Sequence, residues 1–97
     1  MRLVAIFEDT APMAAVRSRL EPAHIEYLRV HASEILLAGG LRNAPGGSFV
    51  GGLWVLEVPS KERAVQLVEA DPYFKAERRP YKLLVWGKAL PELKVVL

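Results

Sequence analysis

The sequence predicts an α+β fold: a ferredoxin-like βαββαβ sandwich with a short extra C-terminal strand, two copies of which close into a dimeric α/β barrel. Three observations predict it. β-rich apolar runs and helical stretches follow one another in the order β-α-β-β-α-β. The chain has 97 residues, which makes one domain (1–97) with one core. Its strands are apolar on both faces, whereas two helices can cover only one face of an antiparallel sheet. A second copy of the chain is the economical cover for the other face, so a homodimer through the open sheet face is expected.

The first strand is read over residues 3–8, a nearly continuous apolar run. Ala11-Pro12 breaks it. Residues 13–20 suit a turn or two of helix, and Pro22 fits best at the first turn of a new helix running to about residue 32, because proline is costly deep inside a helix. On that helix Leu20, His24, Tyr27, Leu28 and His31 recur at helical spacing on one side, with Glu26 and Arg29 on the other. The second strand is read over 34–41, interrupted by Gly39-Gly40, where a bulge or a close approach of backbone or ligand is expected.

Residues 43–48 (Asn-Ala-Pro-Gly-Gly-Ser) are a loop with strong turn chemistry. The third strand, 49–58, alternates Trp54, Leu56 and Val58 on one face with Leu53 and Val55 on the other. Ser60 is a good N-cap for a helix over 61–70 with Ala64, Leu67 and Val68 as its apolar stripe. Asp71-Pro72 stops that helix and can start a further turn through Tyr73-Phe74-Lys75. The fourth strand is read over 81–86, and a short fifth over 93–97.

Composition narrows the function classes. Hydrophobic residues make up 52% and charged residues 25%, a globular rather than disordered balance. With no cysteine there is no disulfide framework and no thiolate zinc site. Two histidines at no ligand-like spacing give no metal motif, and no cofactor is expected. A formal charge of +2 with acids and bases interspersed points to no nucleic-acid partner. The glycine pairs match neither a phosphate loop nor a dinucleotide fingerprint. The N-terminal apolar run is far too short for a signal peptide or membrane span, so a cytoplasmic protein with no membrane partner is expected.

One pair of side chains looks like chemistry. His24 is either a helix histidine packed beside Leu20 and Leu28, or an acid/base that needs a partner to fix its tautomer and an open side for substrate. Asp71 is either that partner or simply the N-cap of the turn begun by Pro72. His31 has no partner motif and reads as structural or surface. Trp54 and Trp86 read as core, with Trp86 at a strand end also able to line a pocket. Tyr73 reads as a pocket wall or a hydrophobic anchor. Arg17 and Arg19 are either solvated or a source of positive charge for an anionic substrate.

The run Arg19, His24 with Tyr27-Leu28, Gly39-Gly40, Gly51-Gly52, Ser60 with Ala64, Asp71-Pro72-Tyr73 and Trp86 resembles the YciI-like (YCII-related) family. It spans residues 19–86, about two-thirds of the chain, and its specificity lies in the set rather than in any one motif. The resemblance implies a dimeric α+β barrel whose pocket holds a His–Asp pair proposed as catalytic. The family is similar in fold to muconolactone isomerases and includes a chloromuconolactone dehalogenase. Carried over, it makes His24 the acid/base and Asp71 its orienting carboxylate, with Arg19, Gly40, Tyr73 and Trp86 as substrate-binding positions. Two departures stand out: Gly40 sits where the family has proline, and Val85-Trp86 where it has Pro-Trp.

The expected function is therefore a small cofactor-free enzyme that moves a proton on a small organic substrate, such as a lactone or carboxylate. The alternative is a non-enzymatic dimeric module that binds a small ligand or a partner.

Overall fold

The computed structural model describes residues 1–94. Strand β1 (Arg2–Glu8) is followed by helix α1 (Met13–Val30), strands β2 (Ile35–Arg42) and β3 (Phe49–Glu57), helices α2 (Lys61–Ala70) and α3 (Pro72–Ala76), and strand β4 (Tyr81–Val85). The strands form one antiparallel sheet in the order β2-β3-β1-β4. This is the expected α+β arrangement. Of the fifth strand expected over 93–97, Leu93 and Lys94 are not part of a strand, and residues 95–97 lie outside the described residues.

Alternation decides which side of the sheet each residue takes. Leu3, Ala5 and Phe7 of β1 register with Leu56, Trp54 and Gly52 of β3, and the side chains of this set point to the helices and are buried. Ala64, Leu67 and Val68 of α2 close over them, as the apolar stripe predicts. Burying each large apolar side chain there contributes roughly 1.5–3 kcal/mol. Ser60 caps α2 by accepting from the Arg63 N–H at 3.1 Å.

The opposite parity leaves Val4, Ile6, Leu37, Leu41, Leu53, Val55 and Leu84 on the other face. Leu37 and Leu84 are about half exposed, at 48% and 51%, and no helix among the described residues covers them. The two-faced apolarity of the strands is thus real, and among the described residues part of the second face stays exposed.

The expected break in the first helix does not occur. Instead of a new helix at Pro22, α1 runs unbroken from Met13 to Val30 with Pro22 inside it. Pro22 and Ser18, whose carbonyl loses its usual N–H donor, both lie on the exposed side, where water can serve that carbonyl. Met13, Val16, Leu20, Tyr27 and Leu28 form one inward stripe across the proline, and their packing outweighs its cost. No helix among the described residues is long and apolar enough to cross a membrane.

Candidate active site

Asp71 is placed by its neighbour. A residue before proline is pushed out of the helical region, and Asp71 is extended at φ −62° and ψ 132°, which ends α2 and starts α3. Its carboxylate turns back to cap α3, accepting the Tyr73 N–H on Oδ1 at 3.3 Å. The same oxygen lies 2.7 Å from Nδ1 of His24, which reaches it from the inward stripe of α1. Asp71 is 1% exposed, and its Oδ2 has no hydrogen-bond partner among the described residues.

The ring of His24 lies flat on Tyr73, centroids 3.8 Å apart and planes 7° apart. Tyr73 is in turn locked between Met13 and Val16 of α1, in a small apolar cluster of its own. Burial pushes its phenol above the ordinary tyrosine range, so the platform under the imidazole is neutral. With Nδ1 committed to Asp71, Nε2 is the nitrogen left for a ligand. His24 opens onto a cavity of about 140 Å³ floored by Trp54, Gly40 and Gly52 and walled by Phe49, Tyr73, Arg17 and Arg79. A cavity of about 150 Å³ accepts a benzene-sized molecule. A larger groove of about 550 Å³ adjoins it and shares Arg17 and Phe49 as a common wall.

Of the positions expected to bind substrate, Gly40 and Tyr73 line this cavity beside His24, and Asp71 stands behind it. Arg19 does not. It is exposed, two residues and therefore about 200° of helix from Arg17, which faces inward. Trp86 does not line it either. β4 runs antiparallel to β1, with Tyr81 beside Phe7 and Val85 beside Leu3, so Trp86 bonds to the Arg2 carbonyl at the far end of the sheet from His24. There it is 37% exposed, not core. Trp54 is core, at 2%, and His31 serves as the C-cap of α1 against Tyr27.

Three residues of the candidate site, Asp9, Phe49 and Arg79, carry no signal in the sequence, and Arg17 is read there only as solvated or as a source of charge. Arg79, only 3% exposed, donates from Nη1 to Asp9 Oδ1 at 2.6 Å, and Arg17 donates to the same carboxylate from Nε at 3.2 Å and Nη2 at 3.1 Å. Phe49 lies against the site of the missing Gly40 Cβ, with the guanidiniums of Arg17 and Arg42 each 4.2 Å from its centroid. An arginine in a charged stretch such as Glu77-Arg78-Arg79 reads as solvated, and only the strand register brings it beside Asp9.

The sequence model of the YCII-related domain matches residues 1–86. Among solved structures, the chain is similar to 5-chloro-2-hydroxyhydroquinone dehydrochlorinase (TftG) from Burkholderia phenoliruptrix AC1100, in complex with 2,5-dihydroxybenzoquinone. That match has 24% identity over 90% of this chain and 94% of the other, with a TM-score of 0.79. It is also similar to protein Atu4242 from Agrobacterium tumefaciens, with 13% identity over 95% of this chain and 98% of the other and a TM-score of 0.50. At these identities the likeness is one of fold. No curated protein matches the chain.

Proposed function

The chain belongs to the YCII-related domain family, and on that premise we propose that it is a small enzyme in which His24 moves a proton on a small, oxygen-bearing organic substrate. No cofactor takes part in this reading. The observation that carries it is the 2.7 Å contact between His24 Nδ1 and Asp71 Oδ1. A carboxylate at Nδ1 holds the proton there and fixes the ring's rotation, which leaves the Nε2 lone pair for the substrate. Nε2 takes a proton from the substrate, and the released electron pair forms a new double bond. The step ends with loss of a leaving group such as chloride, or with return of the proton to another carbon. The fold likeness to a dehydrochlorinase and the ring-sized cavity walled by aromatic side chains support this class of substrate.

The proposed working form is a cytoplasmic homodimer joined through the open sheet face, supported by the exposed Leu37, Leu41 and Leu84. Light scattering should give about twice the chain mass of 10.8 kDa.

A second reading is favoured by Asp71's other task. Because it caps α3 as well as holding His24, the pair also ties α1 to α3, as a non-enzymatic binding module would use it. Assays of chloride release from 5-chloro-2-hydroxyhydroquinone, and of conversion of halogenated hydroquinones and unsaturated lactones, separate the two. Turnover by the wild type that falls about 10²–10⁴-fold in His24→Gln supports the enzyme. Turnover left within a few-fold in His24→Gln contradicts His24 as the acid/base.

A further inference from the structure

The walls of the His24 cavity carry two guanidiniums that share one carboxylate as their ion-pair partner, while Asp71 behind the cavity is engaged by His24. Asp9 is one carboxylate serving two guanidiniums, Arg17 and Arg79, and both arginines line the cavity. Arg17 is otherwise occupied: it also donates to the Gly51 carbonyl at 3.1 Å and lies over Phe49. Arg79 is not. A guanidinium has five N–H donors, and the only hydrogen bond of this side chain among the described residues is the one from Nη1 to Asp9. Its Nε is fully buried without a partner among the described residues, and its Nη2 sits against the cavity floor at Gly52.

Leaving donors of a buried cation unpaired is costly, and a group of this kind calls for an explanation such as a catalytic role or a bound ion. The ring of Phe7 beneath the guanidinium, 4.5 Å from its carbon, and the Asp9 bond fix its plane, so it is held in position before any ligand arrives. Burial also weakens its hold on its proton relative to an ordinary arginine, a strain that an anion would relieve. Glu21 is the one carboxylate on the cavity wall itself, and it is exposed at the mouth.

We propose that Arg79 anchors an oxyanion of the substrate, so that the site selects small planar molecules bearing a phenolate, enolate or carboxylate oxygen. This rests on the reading of His24 as the proton acceptor and adds the second half of the reaction. When a C–H bond next to a carbonyl breaks, the proton passes to His24 Nε2. The bonding pair becomes a C=C bond, and the carbonyl oxygen becomes an oxyanion. Arg79 meets that charge where it develops, with no reorganisation at the moment of reaction. A substrate already ionised at that oxygen is held the same way.

The test compares 2,5-dihydroxybenzoquinone, an anion in neutral buffer, with its neutral dimethyl ether, titrated into the full chain and followed by absorbance. The wild type should bind the anion at least about 10-fold more tightly than the ether. That preference should collapse in Arg79→Gln, return in part in Arg79→Lys, and survive in His24→Gln. Equal binding of the two compounds by the wild type, or no binding of the anion, overturns the proposal even if Arg79→Gln fails to fold. A folded Arg79→Gln that keeps the preference overturns it too. Failure of the proton-transfer reading shows separately, as turnover that survives His24→Gln.

Discussion

The imidazole of His24 and the phenol ring of Tyr73 lie face to face, 3.8 Å apart and within 7° of parallel. Asp71 fixes the edge of the imidazole and Tyr73 fixes its plane, so Nε2 has one direction in which to point. Tyr73→Phe keeps the plane and should leave turnover within about two-fold. Tyr73→Leu removes the platform and should lower kcat about 10–100-fold with a smaller change in KM, since small misplacements of a catalytic group carry that cost. Steady-state kinetics on any accepted substrate check both.

Two glycines differ in what a methyl group would strike. At Gly40 an added Cβ meets only the ring edge of Phe49, a side chain that can swing aside. At Gly51 it meets the backbone carbonyl of Phe7, which the β1–β3 ladder holds in place. Gly51→Ala should therefore destabilise by about 2–3 kcal/mol or more and Gly40→Ala by about 1 kcal/mol or less. Gly40→Ala should instead change ligand affinity, because Phe49 leaves the cavity wall. Urea denaturation and ligand titration measure the two effects.

Asp71 and His24 are unequal partners. Removing Asp71 leaves both the Tyr73 N–H and His24 Nδ1 without their acceptor, so Asp71→Ala should cost about 2–3 kcal/mol, a lost cap and a lost hydrogen bond together. Removing His24 leaves the cap intact and opens Asp71 to the adjoining cavity. For an enzyme, His24→Ala should leave the melting temperature nearly unchanged, because active-site groups are seldom optimised for stability. A loss of about 1–3 kcal/mol in His24→Ala would favour the structural tie.

Alkaline pH should destabilise the protein through its buried and half-buried tyrosines. Burial, and then the charge of Asp71, push Tyr27 from an ordinary value of 10.0 up to about 12, and its hydroxyl donates to the Leu67 carbonyl at 2.7 Å. Burial pushes Tyr73 and Tyr81 up as well. The folded chain holds these protons more tightly than the unfolded one. The stability they supply is whole below pH 10 and drains away as the pH climbs towards 12. Denaturation midpoints should fall across that range, and less steeply in Tyr27→Phe, which should also lose about 1 kcal/mol at neutral pH.

The fold was legible because its signals are local. The alternation through Trp54, Leu56 and Val58, the Ser60 cap and the Asp71-Pro72 stop each name one structure, and each appears where it was read. Pro22 misled because its cost is local while the stripe from Met13 to Leu28 that overrides it spans four turns. The site was half legible. His24 and Asp71 declare themselves by chemistry and resemblance, and Gly40 and Tyr73 by resemblance. Arg79 and Phe49 reach the cavity only through strand register and the space above a glycine, and neither is written in residue order. Trp86 lies away from this cavity for the same reason, since antiparallel pairing carries the end of β4 away from the end of β1 where the cavity opens.

In the proposed enzyme Asp71 holds the proton on Nδ1 of His24 and leaves Nε2 bare towards the cavity. Long-range proton–nitrogen NMR of the His24 ring, recorded where the ring is neutral, tests it most directly. Nδ1 should be protonated and Nε2 pyridine-like, with the Nε2 signal moving when a ligand fills the cavity and the tautomer preference weakening in Asp71→Asn. A proton resident on Nε2 in the wild type, or a ring whose signals ignore both the ligand and Asp71→Asn, would contradict it.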